Sequence, residues 1–107
     1  MKKFFPLLLA AAIAIVYFSC SSKRSGKPRV LVFTKTTGYR HASIPNGIAA
    51  IQKLGQQNGF DVDTTENADI FNEDSLKNYS TVIFLSTTGN VLDYRQRTAF
   101  ERYIQAG

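Results

Sequence analysis

The chain of 107 residues carries one cysteine, one histidine and three prolines. One cysteine excludes an intramolecular disulfide framework and any all-cysteine zinc site. That residue is Cys20, so the sequence beyond it offers no thiol nucleophile. The phosphate-binding signatures are missing as well. Gly38 is not followed by the glycines of a dinucleotide fingerprint, and Lys35 precedes it instead of following, which excludes a P-loop. No Gly-x-Ser-x-Gly elbow occurs. The spacing of His, Asp and Glu gives no metal signature, and no cofactor can be named from these residues. The apolar run Phe4 to Phe18 has fifteen residues, short of the ~20 that a membrane-crossing helix needs.

Acidic charge is also scarce overall, with a net charge of +5. A short basic chain suggests a nucleic-acid partner, but the placement of the charge argues against one. Lys2, Lys3, Lys23, Arg24, Lys27 and Arg29 all precede Val30. From Val30 onward seven basic side chains face eight acidic ones. The part able to fold has no electrostatic footprint for a polyanion. Its length allows a single domain at most.

The first residues read as an address. A cationic start, Met1-Lys2-Lys3, precedes the apolar run and then Ser19-Cys20-Ser21-Ser22. Such an order marks a secretory signal. Tyr17-Phe18-Ser19-Cys20 resembles a bacterial lipobox, with a small residue before a cysteine that becomes the lipidated first residue of the mature chain. Tyr17 departs from the usual leucine. The expectation is a lipoprotein signal at 1–19, lipidation at Cys20 and a flexible tether at 20–28. A plainly cleaved signal or an uncleaved anchor are the alternatives. The implied location is the bacterial cell envelope, with the membrane as a partner through the lipid.

Arg29 to Thr34 and Thr81 to Ser86 are short, continuous apolar runs, as in strands of a parallel sheet covered on both faces. Phe60 to Thr65 alternates apolar and polar residues, which suits an edge strand. Ile44, Ile48, Ile51 and Leu54 recur at helical spacing, with Ser43 as a possible cap, Pro45 in the first turn and Asn58-Gly59 as the stop. A short helical turn is expected over Asn72 to Lys77. Asp93 and Gln96 match a capping box ahead of a helix whose apolar stripe is Phe100, Tyr103 and Ile104. Strands alternating with helices predict an α/β fold: a flavodoxin-like, three-layer parallel sheet in the order 2-1-3. The third strand is too apolar for an open edge. Residues 29–107 are therefore expected to be the N-terminal half of a larger domain whose later strands are missing here. By itself such a half should be marginally stable and should self-associate through that strand.

In an open α/β sheet, ligands bind outside the carboxyl ends of the strands, where the strand order reverses. Two loops meet that description, Lys35 to Ser43 and Thr87 to Asn90, with Glu66 nearby. His41 could act as an acid or base, or simply fix its loop with one hydrogen bond. Arg40 could clamp a carboxylate, phosphate or sugar hydroxyl, or form a salt bridge to Glu66. Tyr39 could stack on a sugar ring or cover the core. Thr87, Thr88 and Asn90 could bind a ligand or satisfy turn amides. Lys35 reads as solvated.

The segment Val30 to Pro45, with Gly38-Tyr39-Arg40-His41-Ala42-Ser43-Ile44 at its centre, resembles the opening of the trehalose-utilisation (ThuA-like) family. Gly59 to Val62, Leu85 to Leu92 and Phe100 to Gly107 resemble its following elements. The resemblance implies a class I glutamine-amidotransferase-like fold and a role in sugar or glycoside metabolism. It places Gly38, Arg40, His41 and Ser43 at family-motif positions. The family's later Gly-Ile-His-Ala-like segment is not in this sequence. One expectation is a membrane-tethered domain acting on a sugar or glycoside of the trehalose type, with His41 moving a proton. Gly38, Tyr39, Arg40, Ser43, Thr87, Thr88 and Asn90 would then contact substrate. The alternative is a non-catalytic carbohydrate-binding or assembly module on the same scaffold.

Overall fold

The computed structural model describes residues 26–107. The expected signal at 1–19, the lipidation site Cys20 and most of the tether lie outside the described residues. The elements are β1 (Arg29–Phe33), α1 (Ile44–Asn58), β2 (Asp61–Thr65), a 3₁₀ turn (Ala68–Ile70), α2 (Glu73–Leu76), β3 (Thr81–Phe84) and α3 (Tyr94–Gln105). Among the described residues, no helix is long and apolar enough to cross a membrane.

The three strands form one parallel sheet in the order β2-β1-β3. Val30 lies opposite Val62 on one side and Thr81 on the other, and Phe33 opposite Thr65 and Phe84. The continuous apolar run that predicted a buried strand is the central one. Leu31, Val32 and Phe33 are wholly buried. Burying each contributes about 1.5–3 kcal/mol.

Successive side chains of a strand point to opposite faces. Leu31 and Phe33 therefore share one face, where they pack with Ala68, Phe71 and Leu76 and with Phe100 and Tyr103 of α3. Phe33 meets Phe71 and Phe84 edge-on, with ring centroids 4.8 and 5.5 Å apart. The other face lies under α1. There Gly55 sits so close to Phe60 and Val62 that a Cβ would come within 2.6 Å of the Phe60 carbonyl oxygen. A helix, a sheet and a second pair of helices make the three layers expected of the flavodoxin-like arrangement, here over three strands.

Helix ends follow the local chemistry with one exception. Gly59 closes α1 in the left-handed region at φ 74° and returns its N–H to the Gly55 carbonyl at 2.9 Å. Asn72 caps α2. Asp93 and Gln96 exchange both hydrogen bonds of the capping box at 2.8 Å. Ser43 stands at the N-cap of α1, but its backbone is already helical and its side chain makes no capping bond. A capping hydroxyl needs an extended backbone to reach back to the first-turn amides.

Two apolar stripes shift from their expected positions. Leu54 is 50% exposed while Gly55 is buried. A period of 3.6 carries Ile44, Ile48 and Ile51 on to position 55, and only a residue without a side chain fits beneath Phe60. Ile104 is 60% exposed, and Ala99 takes its expected place beside Phe100 and Tyr103 on the core. Along β3, Val82 and Ile83 are half-buried and Phe84 is 37% exposed. Its outer edge carries no partner strand among the described residues.

The end of the sheet at which the strands begin is tied by tyrosines. Tyr79 donates its hydroxyl to Asp63 Oδ2 at 2.8 Å, and Tyr103 donates to the Tyr79 carbonyl at 2.7 Å. Burial, and for Tyr79 also the hydrogen bond to Asp63 and its negative charge, raises both phenols above 10.0. An acid whose folded pKa is raised stabilises the fold while protonated and loses that contribution as pH climbs past its unfolded value. Urea midpoints should therefore fall as pH rises above about 10, and Tyr79→Phe should flatten that fall. A pH profile identical in the variant would contradict the assignment.

Candidate functional site

The strand order reverses at β1, so the loops leaving β1 and β3 emerge as neighbours at the same rim of the sheet. They are joined there. Thr36 and Thr88 form an isolated parallel bridge that extends the β1–β3 pairing beyond both strands. The Thr37 N–H and hydroxyl both donate to the Thr88 carbonyl, at 2.9 and 3.1 Å. The Thr88 hydroxyl donates to the Tyr39 carbonyl at 2.8 Å. Gly89, at φ +77°, lies so near that a Cβ would overlap Thr37 Oγ1. Gly38 in turn faces Thr88 Oγ1, 3.4 Å from where its own Cβ would be. The Thr88 carbonyl and hydroxyl thus both help to fix the rim, and the hydroxyl oxygen keeps lone pairs that can still accept a hydrogen bond. The Thr87 and Asn90 side chains make no hydrogen bond among the described residues, and Asn90 is exposed.

Arg40 is the second fastening. Its Nη1 donates to the Thr34 carbonyl at 2.8 Å and pairs with Glu66 Oε1 at 2.8 Å, with Thr36 Oγ1 at 3.5 Å. The ion pair with Glu66 therefore forms, and one guanidinium nitrogen ties the loop to the ends of β1 and β2. The guanidinium has five N–H donors in all, so the remaining nitrogens can still donate to a ligand. Both side chains are substantially exposed, which limits the pair to about 1 kcal/mol.

Between these fastenings Tyr39 and His41 stand out from the rim. Their rings meet edge to face, 5.0 Å apart at 86°, and Tyr39 is 73% exposed. The His41 carbonyl accepts from the Ile44 N–H at 3.3 Å, which anchors the residue to the start of α1. Ser43 keeps its hydroxyl out of the helix cap. Lys35 is half-buried, less solvated than expected.

One residue of this rim was not singled out from the sequence. Ser86, two residues beyond the end of β3, has φ +50°, the one positive φ outside glycine among the described residues. Side chains other than glycine, Asn and Asp seldom adopt this conformation, and it tends to gather at functional turns. It turns the chain out of β3 and toward the β1 loop. The run Leu85-Ser86-Thr87-Thr88-Gly89 signalled a turn, but no residue type in it marks which position takes the left-handed conformation.

The rim offers hydroxyls, an amide, spare guanidinium donors, an imidazole and an exposed phenol ring. Those are partners for a neutral, hydrogen-bonding ligand with an apolar ring face. Among the described residues, no three His, Cys, Asp or Glu side chains gather closely enough to hold a metal ion. The trehalose-utilisation family (ThuA) matches residues 29–107. No curated protein and no solved structure matches the chain.

Gly89→Ala should destabilise the fold by at least about 1 kcal/mol through strain and the clash with Thr37, and should speed amide exchange at Thr37. Exchange unchanged at Thr37 would show that the two loops are not coupled there. Glu66→Gln should leave global stability within about 1 kcal/mol but broaden the backbone resonances of residues 36–41. Resonances as sharp as in the parent would mean that the carboxylate does not hold the loop.

Proposed function

Because the chain belongs to the trehalose-utilisation family over residues 29–107, we propose that its rim binds a sugar or glycoside of the trehalose type and acts on it chemically. The observation that carries this reading is the fastening of the two loops to each other at the carboxyl ends of β1 and β3. Ligand groups placed on a preset rim need not order it first. Tyr39 supplies an aromatic face for a pyranose ring. Asn90, Thr87, Ser43 and the free nitrogens of Arg40 supply hydrogen bonds to its hydroxyls. His41, beside that face, is the group that would move a proton. Gly38 and Thr88 shape the floor.

The domain is further proposed to work in the bacterial envelope, exported and held to a membrane by a lipid on Cys20. Support comes from the cationic start, the fifteen-residue apolar run and the Ser19-Cys20 pair. The second reading, a carbohydrate-binding or assembly module without turnover, is favoured by how exposed the rim is, since acid–base chemistry is helped by a site that excludes water.

The deciding experiment offers trehalose and its oxidised derivatives to the protein and to His41→Ala. The expected result is saturable binding that shifts the resonances of Tyr39 and Asn90, with turnover reduced about 10²–10⁴-fold in the variant. Turnover unchanged in His41→Ala removes that residue from catalysis. Binding without turnover in the parent protein favours the module, and no binding of any saccharide sinks the enzyme and the carbohydrate-binding module together and leaves only the assembly role.

A further inference from the structure

β1 ends at Phe33, but its pairing with the β2 side runs one residue further: the Thr34 N–H donates to the Thr65 carbonyl at 3.0 Å. The backbone is still extended there. Alternation then puts the Thr34 side chain on the face of Val30 and Val32, away from Leu31, Phe33 and the aromatic cluster. Thr34 is 2% exposed, the one buried polar side chain among the described residues. Its hydroxyl makes no hydrogen bond to any of them. Yet no fully enclosed side-chain oxygen among the described residues lacks a partner. Both statements hold only if the sliver of surface left to Thr34 includes the hydroxyl oxygen. An unpaired hydroxyl in such a place is costly, and this one is open to a partner from outside the chain.

Its neighbours mark where it opens. Arg40 Nη1 bonds the Thr34 carbonyl at 2.8 Å and lies 3.5 Å from Thr36 Oγ1, and Thr36 pairs with Thr88 across the two loops. The opening is therefore at the rim, beside the guanidinium. A hydroxyl set so deep is out of reach of a group fixed directly on a sugar ring, because the ring meets the rim first. A hydroxyl carried on a one-carbon arm can reach it.

We propose that the Thr34 hydroxyl receives the exocyclic hydroxymethyl group of a hexopyranose, so that the rim selects sugars carrying this primary hydroxyl. Thr34 can both donate to it and accept from it, and the unused nitrogens of Arg40 can donate to the same oxygen. A site built to bond a substrate hydroxyl rejects the analogue that lacks it. Recognition of this kind needs no net charge on either side. The proposal rests on the sugar reading of the rim given above and names the substituent that the rim recognises.

Three ligands test it. Methyl α-glucopyranoside carries the full arm, methyl α-xylopyranoside lacks it, and in methyl α-quinovopyranoside it ends in a methyl group. Each is titrated by NMR into the protein and into Thr34→Val, which keeps the shape of the side chain and removes the hydroxyl. The protein should bind the glucoside about 3–10-fold more tightly than either analogue, the worth of one net hydrogen bond. That preference should vanish in Thr34→Val and return in Thr34→Ser. The melting temperature of Thr34→Val should not fall, since the hydroxyl has no internal partner to lose. A preference unchanged in Thr34→Val, or no preference in the parent protein, overturns the proposal and leaves the sugar reading standing. A clear fall in melting temperature shows that the hydroxyl is bonded within the fold and overturns it as well. Binding of neither these glycosides nor trehalose overturns both.

Discussion

β1 has a hydrogen-bonded parallel neighbour on each side, and both the core and the rim depend on that double pairing. Its inward residues Leu31 and Phe33 gather the aromatic cluster on one face. Its carboxyl end sends out the loop that meets Thr88. The register with β3 does not stop at Phe33 and Phe84 but resumes at Thr36 and Thr88. The sheet's own backbone geometry therefore sets the separation of the two loops. If β1 slipped by one residue, every core side chain would change face and Thr37 would lose the Thr88 carbonyl. Stability and site geometry answer to the same alignment.

Much of this was legible in the residues. Continuous apolar β1, alternating β2 and the capping box at Asp93 each follow from a local rule, and together they dictate a parallel sheet ordered 2-1-3. The meeting of two polar loops followed from topology, because crossovers of one hand leave their loops at one end of the sheet. The misplaced details are those set by tertiary contact. Gly55 replaces Leu54 in the stripe of α1 because the chain returns through Phe60 directly beneath it. Ile104 faces outward although helical spacing gave it to the core, because Ala99 already fills the layer beside Phe100. Residue type left both Arg40 and Thr88 with two roles each. Which one they take depends on whether Glu66 and Thr37 come within reach, and that is a property of the folded backbone.

The rim is held by backbone carbonyls more than by charge. The Thr34, Tyr39 and Thr88 carbonyls accept the three side-chain bonds that tie the loops down. Two of the three are donated by the Thr37 and Thr88 hydroxyls, which carry no charge for salt to screen. The groups left over, the Tyr39 ring, the His41 imidazole and the Asn90 amide, can be occupied by a ligand without dismantling the support. Arg40, a cation of the rim, is already partnered by Glu66.

The close approach of Gly89 to Thr37 binds two distant positions into one decision. A side chain at 89 can enter only if residue 37 gives up its hydroxyl, and with it one of the donors to the Thr88 carbonyl. Lineages that carry this fold should therefore exchange the two positions as a pair: a β-hydroxyl opposite glycine, or a small residue opposite something larger. A protein showing a bulky residue at both would have had to part the loops and build its ligand surface some other way.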